Sequence, residues 1–465
     1  MGTKHQSSDA AVSDTKKRRK VAFSKSDEGV LPNECIKIYF VSKEEEFGSP
    51  ESFLIEPVDL APFFEEDGKI YGYQGLKITV WISSISFQAF ADISFESTSD
   101  AGKGITDLKS SLQNIFADNL VETKDDFLRT FATENNYVKS MISSGKVIQQ
   151  NLLANSNELV RNLKADSSEL EFVRVEGTAM GLLYCRLVPL VLLLVDGSNP
   201  IDVTDPDWEI YLLAEKKTDQ QDNPVKLLGF AALYRFFHYP DSHRLRLGQI
   251  LVFPPYQRKG YGGYLLQGLT NMVVSDNVYD LSIEEPLDSL QHVRACIDIP
   301  RLLALESIQP ALNSTVSRLK EENLAKRTHI TRFSPPPDII EEVRKCLKIN
   351  KKQFLQCWEI LIYIALDPID KHLDNFKTLV LDRIKADVIG KDTGAGGKRV
   401  VEVPTEYDQD ASFVMFKTTV DGDEPNEIEM NEDDKIKQEK QLQKLVDERL
   451  EAIKLVAQKV SVKSS

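Results

Sequence analysis

The residues whose types and spacing are best suited to chemistry lie in one run, 249–263, with the sequence QILVFPPYQRKGYGG. The pattern predicts an apolar strand, a cationic glycine-rich loop and a helix that begins near Gly260. Such a loop points consecutive backbone N–H groups toward one spot at the helix N-terminus, where the helix dipole also favours an anion. Gly260 and Gly262 permit the close backbone approach that a β-carbon would block, while Arg258 and Lys259 add positive charge. A pyrophosphate is the ligand that suits this arrangement.

Glycine spacing alone does not make the run specific, because two glycines also fit an ordinary strand–turn–helix connection. The demanding feature is the order of a strand, a proline pair, Gln-Arg-Lys-Gly-Tyr-Gly, an amphipathic helix and a further strand. The spacing is neither that of a Rossmann fingerprint nor that of a Walker loop. A second glycine-rich stretch, 390–398, is not a Walker loop either, because Asp392 replaces its first glycine and Arg399 replaces its Ser or Thr.

The segments around the loop predict the elements that must hold it in place. Alternating apolar residues and turn signals predict strands over 170–175, 208–214, 227–237, 244–252 and 279–283. Beyond Gly260 the apolar residues recur on one face of a helix. Segment 181–195 is ambiguous, since its composition allows a strand while its apolar spacing allows a helix, which Pro189 would kink.

The rest of the chain predicts further domains on either side of this region. In the N-terminal part, the runs 71–81 and 87–95 predict a turn and two paired strands, and polar helical stretches are predicted near 108–116 and 126–131. The expected organisation is a disordered basic tail at 1–30, an α+β domain at 31–165, the central domain at 166–299, a helical domain at 300–420, and an acidic linker with a charged helix at 421–465.

The composition excludes several classes of protein. The chain has 465 residues with 57 Lys+Arg and 72 Asp+Glu, and the resulting net charge of −15 argues against direct DNA binding and favours a cationic partner. Five scattered cysteines without a CxxC pair argue against a disulfide framework, and six histidines without ligand spacing argue against a metal site. The longest apolar run, 187–195, is too short to cross a membrane.

The basic run Lys16–Lys20 fits a nuclear import signal or a solvated tail, and both interpretations stay open.

The run 249–263 resembles the coenzyme A-binding signature, Arg/Gln-x-x-Gly-x-Gly/Ala, of the GNAT acetyltransferase superfamily. A narrower resemblance, to the type B histone acetyltransferase catalytic subunits, rests on motifs in all three predicted folded domains. These are YGYQGLKI at 71–78, IDVTD at 201–205 with Trp208, LGF at 228–230, YRFF at 234–237, YPD at 239–241, KINKK at 348–352 and WEIL at 358–361. The resemblance spans most of residues 35–365.

The resemblance implies a fold class, an α+β protein with a central GNAT acyl-CoA N-acyltransferase domain between an N-terminal α+β domain and a C-terminal helical domain. It also implies that 181–195 is a helix packed against the sheet. The implied co-substrate is acetyl-CoA, with no metal. The residues expected to bind it are Ile250, Leu251, Val252, Gln257, Arg258, Lys259, Gly260, Tyr261, Gly262 and Gly263.

The resemblance also implies a catalytic base. In the family it lies in a Glu-Asp-Pro element after the next strand, which corresponds here to Glu284-Glu285-Pro286, so Glu284 is the expected base and Glu285 the second candidate. A lysine amine has a pKa of about 10.4 and is protonated at neutral pH, so a partly desolvated carboxylate must accept its proton before it attacks. Both substrates are expected to bind together without an acyl-enzyme, with backbone N–H groups of 250–252 stabilising the oxyanion.

Contacts to a histone tail are expected by similarity from both the first and the central domain. The residues are Glu65, Glu66, Asp67, Trp208, Tyr234, Arg235 and Phe236. Acidic groups at the edge of a groove attract a tail rich in lysine and arginine, although 65–67 also fits a solvated acidic turn and Trp208 a core residue.

The resemblance therefore predicts an enzyme of the nucleus and cytoplasm that acetylates lysines in the amino-terminal tail of newly synthesised core histone four. The expected partners are that histone, together with histone three, and a WD-repeat histone-binding protein, but neither DNA nor a membrane. Two alternatives stay open, a catalytically weak histone-binding scaffold and a GNAT enzyme for another protein or a small amine.

Overall fold

The computed structural model describes residues 28–100, 102–150, 168–217, 225–321, 333–366, 369–388 and 432–461. The basic run Lys16–Lys20, the glycine-rich stretch 390–397 and the acidic residues 421–431 lie outside the described residues. The chain divides into two compact units. The first comprises the described residues up to Ser83 together with Phe87–Arg129, and the second comprises Ser84–Ser86 and the described residues from Thr130 onward.

The first unit is built on a mixed four-stranded sheet and a short separate pair of strands. The strands are β1 Ile36–Val41, β2 Phe53–Ile55, β3 Tyr73–Gln74, β4 Lys77–Ser83, β5 Ala89–Ser94 and β6 Ser97–Thr98. The order in the sheet is β2-β1-β4-β5, and β3 pairs with β6 apart from it. Strands β1 and β4 are parallel, and β4 and β5 form the antiparallel pair that the sequence predicts.

Short helices accompany these strands. The predicted helix near 108–116 begins where the side chain of Asp107 accepts a hydrogen bond from the Ser110 N–H at 3.1 Å, and it buries Leu108, Leu112 and Ile115. The α-helices are α1 Pro32–Cys35, α2 Leu108–Phe116 and α3 Lys124–Thr133, of which the part from Thr130 is counted with the second unit. The 3₁₀ helices are Glu44–Glu46, Ala61–Phe63 and Ala117–Asn119.

The second unit contains a six-stranded sheet, which helix α4, Tyr137–Ser144, precedes in the chain. The strands are β7 Lys146–Gln150, β8 Ser168–Val175, β9 Trp208–Lys217, β10 Val225–His238, β11 Ser242–Val252 and β12 Leu281–Ile283. Their order is β12-β11-β10-β9-β8-β7, and all neighbours are antiparallel except β11 and β12, which are parallel. Strand β7 lies within the predicted N-terminal domain 31–165, but it pairs with β8 and so belongs to this sheet.

Two helices cover the two faces of this sheet. Helix α6, Tyr261–Ser275, packs in one core with Ala231 and Leu233 of β10, whereas α5, Gly177–Leu194, places Tyr184 with its ring centroid 6.3 Å from that of Phe230. Because neighbouring residues of a strand face opposite sides, α5 and α6 lie on opposite faces. The helix predicted over 181–195 is thus confirmed, and it continues through Pro189.

Helix α5 is also long and apolar enough to cross a membrane by length and composition alone. Its Leu187, Leu190, Val191 and Leu193 side chains are fully buried in the protein. The hydroxyl of Tyr184 donates a buried hydrogen bond of 2.8 Å to a side chain of the sheet, Gln249. One apolar face of α5 therefore packs inside the protein, against the sheet.

The C-terminal part of the second unit is helical and is tied to the edge strand β12. The N–H of Leu281 bonds to the Lys348 carbonyl, and the Asn350 side-chain amide donates to the Leu281 carbonyl at 2.9 Å. Asn350 also caps the helix that follows, by accepting a hydrogen bond from the Gln353 N–H. The helices are α7 Asp288–Leu303, α8 Ile308–Glu321, α9 Pro337–Leu347, α10 Lys351–Ala365, α11 Asp370–Val388 and α12 Glu432–Ser461.

The charged helix α12 is part of the core of this helical region. Its apolar face, with Val446, Leu450 and Ile453, is buried among residues of α7, α10 and α11. On the same helix Arg449 pairs at 2.7 Å with Glu359, a buried residue of α10 whose other carboxylate oxygen contacts Arg383 of α11 at 2.6 Å. A buried carboxylate is stable when cations neutralise it, so this triad joins three helices.

Replacing Arg449 with Ala should lower the free energy of unfolding by about 3 kcal/mol, because a buried carboxylate then loses one of its two cations. Urea unfolding followed by circular dichroism measures the change. Lys444→Ala is the matched control, since Lys444 lies on the same helix and pairs with the exposed Glu448, and it should have little effect. Equal stabilities for the two variants would contradict the anchoring role of Arg449.

Candidate active site

The site is organised by the early separation of strands β11 and β12. Their parallel pairing covers only Leu245–Leu247 of β11, and the last bond joins the Glu284 N–H to the Leu247 carbonyl at 3.0 Å. Strand β11 continues to Val252, and among the described residues no strand pairs with it on that edge. The edge from Gly248 to Val252 is therefore not covered by a described strand, so backbone groups there are available to a ligand.

A β-bulge decides which backbone groups face the open edge. The register of β10 and β11 shifts so that Gly248 is the extra residue on β11. Beyond it, Phe253 donates its N–H to β10 at 2.9 Å, while the Val252 carbonyl accepts a hydrogen bond from Gln257 on the other side at 2.8 Å. Because alternate residues of a ladder point to the same neighbour, the N–H groups of Ile250 and Val252 face the open edge.

Leu251 differs from its two neighbours in this respect. By the same alternation its N–H faces β10, and its side chain is buried. Of the three strand residues expected to contact the cofactor, the two outer ones have a backbone N–H that no described strand pairs, and the middle one lies in the core.

The loop after β11 forms the predicted concave turn at a helix N-terminus. A 3₁₀ turn, Pro254–Tyr256, is followed by Arg258 at φ 61° and Gly260 at φ 89°, the left-handed region that glycine adopts readily. The first bond of α6 runs from Tyr264 N–H to the Gly260 carbonyl. The three N–H groups before it, from Tyr261 to Gly263, have no partner within the helix and suit an anion.

Space and charge around this turn also fit a phosphate group. A β-carbon placed on Gly262 would lie 3.8 Å from Val252 Cγ2 and meet nothing closer, so it would project into the open space beside the end of β11. Arg258 and Lys259 are exposed, and neither has an ion-pair partner among the described residues. The loop predicted to bind pyrophosphate thus combines free N–H groups, two cations and room for a ligand.

Glu284 stands where β11 and β12 diverge. Its backbone bond to Leu247 fixes the residue at the start of the open edge, and its side chain is 47% exposed. Carboxylate atom Oε2 lies 3.3 Å from Nε of Arg246. The carboxylate is therefore only partly withdrawn from solvent in the protein without ligands. Glu285 is exposed and has a φ of 33°, which turns the chain sharply after Glu284.

A row of aromatic rings borders the same space. The ring centroids of Trp208 and Tyr234 are 5.1 Å apart at an interplanar angle of 73°, and those of Tyr234 and Phe236 are 4.5 Å apart. A β-carbon on Gly248 would lie 3.1 Å from the Trp208 ring and 3.8 Å from Glu284 Oε2. Gly248 thus forms the floor between an aromatic wall and a carboxylate.

Arg235 is not brought to this row. Strand alternation turns it to the other face of the sheet, where its guanidinium contacts Glu209 at 2.6 and 2.8 Å. Tyr234, in contrast, is part of the row, and its hydroxyl forms a hydrogen bond with Asp205. This hydrogen bond to a carboxylate raises the pKa of the tyrosine hydroxyl.

The three acidic residues expected to contact a histone lie in the first unit, in the turn after the 3₁₀ helix Ala61–Phe63. Glu65 and Glu66 are exposed. Asp67 accepts a hydrogen bond from the Tyr71 hydroxyl and pairs with Lys103 at 3.5 Å. The bond from Tyr71, more than the lysine, holds the pKa of Asp67 below its usual range.

Two residues of the site, Gly248 and Arg246, were not predicted from the sequence. A glycine inside an alternating strand, such as Gly248, is a known signal of a bulge and could have indicated it. Arg246 lies on the same strand with no spacing signal that indicates a contact with Glu284, because this contact depends on the pairing of β11 with β12.

Within the described parts of the chain, no cluster of three His, Cys, Asp or Glu side chains is arranged to hold a metal ion.

Comparison with known proteins shows which families the chain matches. Residues 30–196 match the family described as "Histone acetyl transferase HAT1 N-terminus", and residues 200–289 match "Acetyltransferase (GNAT) family". A histone acetyltransferase type B catalytic subunit of Arabidopsis thaliana is 50% identical over 463 residues, covering 99% of this chain and 98% of the relative. The corresponding protein of Zea mays is 47% identical over 466 residues, covering 99% and 97% of the two chains.

Replacing Gly262 with Ala should weaken the binding of coenzyme A derivatives without destabilising the fold. The added methyl group meets ordinary contacts in the free protein but occupies the space beside the open N–H groups. Isothermal titration calorimetry with acetyl-CoA measures the effect. Gly181→Ala, in helix α5, is the control, because its methyl group would also meet only ordinary contacts, 3.7 Å from Val203. Unchanged affinity for Gly262→Ala would contradict the loop assignment.

Proposed function

Because the chain belongs to the histone acetyltransferase type B catalytic subunits and carries a GNAT acetyltransferase domain, we propose that it acetylates lysines in the amino-terminal tail of newly synthesised core histone four. The observation that carries the proposal is the convergence at Gly248 of an open strand edge, a carboxylate and an aromatic wall. An acyl donor on the edge and an amine along the wall would meet there.

Acetyl-CoA is the co-substrate that GNAT acetyltransferases use, and the site offers separate groups for its two ends. In the proposal, the N–H groups from Tyr261 to Gly263 bind the pyrophosphate, with Arg258 and Lys259 adding charge. The pantetheine amides then pair with the open edge of β11 as a further strand would, because Val252 and Ile250 present free N–H groups there.

The open edge also suits the reacting carbonyl. When an amine attacks a thioester, negative charge develops on the carbonyl oxygen, and fixed donors at that position lower the barrier. The Ile250 N–H, close to the bulge and to Glu284, is the donor that the strand geometry favours for this role. We therefore assign the oxyanion donor to Ile250 and not to all three residues of 250–252, since the N–H of Leu251 faces β10.

Glu284 is the proposed general base. A lysine ammonium cannot attack until it loses a proton, and a carboxylate beside the amine can accept that proton directly or through a water molecule. The neutral amine nitrogen then forms a bond to the acyl carbon, and the carbon–sulfur bond breaks. The sulfur leaves as the thiolate of coenzyme A, which takes up the second proton that the nitrogen loses as it becomes an amide. No acyl-enzyme is required, because both substrates are held together at the branch point of the strands.

The aromatic row supports a lysine as the acceptor. Trp208 and Tyr234 present apolar ring surface to an aliphatic side chain, and their faces also attract an ammonium group. Phe236 extends the row, whereas Arg235 lies on the opposite face of the sheet and pairs with Glu209.

In the first unit, Glu65 and Glu66 offer exposed negative charge to the basic residues of the tail.

The remaining parts of the proposal rest on family resemblance and on charge. A net charge of −15 suits a protein that binds histones, here histone four together with histone three. A WD-repeat histone-binding partner and action in the nucleus and cytoplasm before chromatin assembly follow from the resemblance.

An acetylation assay with purified protein tests the proposal. A peptide of the histone four tail, a peptide of the same composition in scrambled order and a polyamine are compared at equal concentrations with acetyl-CoA. Of these three substrates, we expect the histone peptide to have the highest kcat/KM. Tight peptide binding without turnover would identify a scaffold instead, and faster turnover of the polyamine would identify a small-amine enzyme.

Replacing Glu284 with Gln should lower kcat by about 10²- to 10⁴-fold, the usual contribution of a general base. The affinity for acetyl-CoA, measured by calorimetry, should be unchanged, because Glu284 lies at the acyl end of the site. Glu285→Gln is the matched control and should retain activity. If Glu285→Gln were inactive and Glu284→Gln active, the assignment of the base would pass to Glu285.

Replacing Gly248 with Ala should raise KM for the histone peptide more than KM for acetyl-CoA. Its methyl group would lie 3.1 Å from Trp208 and would narrow the space that the lysine side chain must enter. Steady-state kinetics with each substrate varied in turn separates the two constants. A change confined to KM for acetyl-CoA would show that Gly248 serves the donor and not the acceptor.

A further inference from the structure

Arg246 is held against Glu284 by two neighbouring strands. It lies opposite Ser282 in the register of β11 and β12, and Glu284 is two residues beyond Ser282. Since side chains two residues apart on a strand share a face, Arg246 and Glu284 project to the same side. Their closest atoms, Nε and Oε2, are 3.3 Å apart.

The guanidinium of Arg246 is also fixed from a second direction. Its Cζ atom lies 4.6 Å from the ring centroid of Phe236, within the range of a cation–π contact. Arg246 therefore has a second contact besides Glu284, and its side chain is 38% exposed. The Glu284 side chain is 47% exposed and has no other ion-pair partner among the described residues.

One donor of Arg246 is unused. Its Nε is buried and has no hydrogen-bond partner in the part of the chain that the structure describes, because the contact with Glu284 meets the distance of an ion pair but not the geometry of a hydrogen bond. A buried N–H without an acceptor is costly and calls for an explanation. Oε2 of Glu284, 3.3 Å away, lies within reach as that acceptor.

From this geometry we propose that Arg246 is a positioning residue for the reaction, which holds Glu284 through Oε2 and leaves Oε1 to face the lysine amine. The inference rests on the proposed function, in which Glu284 accepts the proton. That proton moves from the amine nitrogen to Oε1, and Arg246 neither gains nor loses one. The arginine acts by confining an otherwise mobile carboxylate, and a small displacement of a reacting group is costly for turnover.

Arg246→Lys tests this role, because lysine keeps the charge but lacks the planar group and Nε–H. We expect kcat for the histone peptide to fall by about tenfold to hundredfold, in line with a displacement of roughly 1 Å. The affinity for acetyl-CoA should be unchanged, which also shows that the variant is folded. Arg244→Lys is the matched control: Arg244 lies two residues earlier on the same face and pairs with Asp280 at 2.5 and 2.9 Å.

A double-mutant cycle separates positioning from a general structural role. If Arg246 acts through Glu284, Arg246→Lys should cause no further loss of the residual kcat of Glu284→Gln. Arg246→Ala provides a second variant, whose kcat should recover partly when guanidinium ion is added at millimolar concentration.

Independent losses in the two variants, or a wild-type kcat for Arg246→Lys, would overturn the inference while leaving the base assignment in place. An unchanged kcat for Glu284→Gln would overturn both.

Discussion

The loss of pairing between β11 and β12 after Leu247 is the constraint on which the site depends. Two parallel strands that separate after three residues leave one of them with backbone groups that must find another partner. The final bond before the separation, from Glu284 to Leu247, places a carboxylate at the origin of the gap. The donor-binding edge and the candidate base are thus fixed by the same backbone.

The bulge at Gly248 adds a second constraint. Without the extra residue, the alternation along the rest of β11 would be reversed, and the Leu251 N–H would face the gap instead of those of Ile250 and Val252. The glycine also keeps the floor of the acceptor space free of a side chain. One residue therefore determines both the direction of the donors and the width of the space beside Trp208.

Local patterns in the sequence were sufficient to predict the strands, the loop and the helix that form the site. The glycine-rich loop, the helix after it and the strands on either side follow from periodicity and turn residues, and the structure confirms them. Strand alternation also separates Arg235 from Tyr234 and Phe236, although the family resemblance had grouped the three. The contact of Arg246 with Glu284 depends on strand register, and the burial of α12 on long-range packing, so neither could be read from local sequence.

The position of α12 in the chain has a consequence for biosynthesis. This helix supplies apolar residues to a core that begins at Ala295 and Cys296, and its Arg449 neutralises Glu359. A ribosome makes it after the other described segments of that core, so until residues 432–461 have emerged the apolar residues that α12 packs against lack this cover and Glu359 has one cation instead of two. The helical region can complete its folding only after translation of that segment, and chaperones that shield apolar surface would act on the chain during this interval.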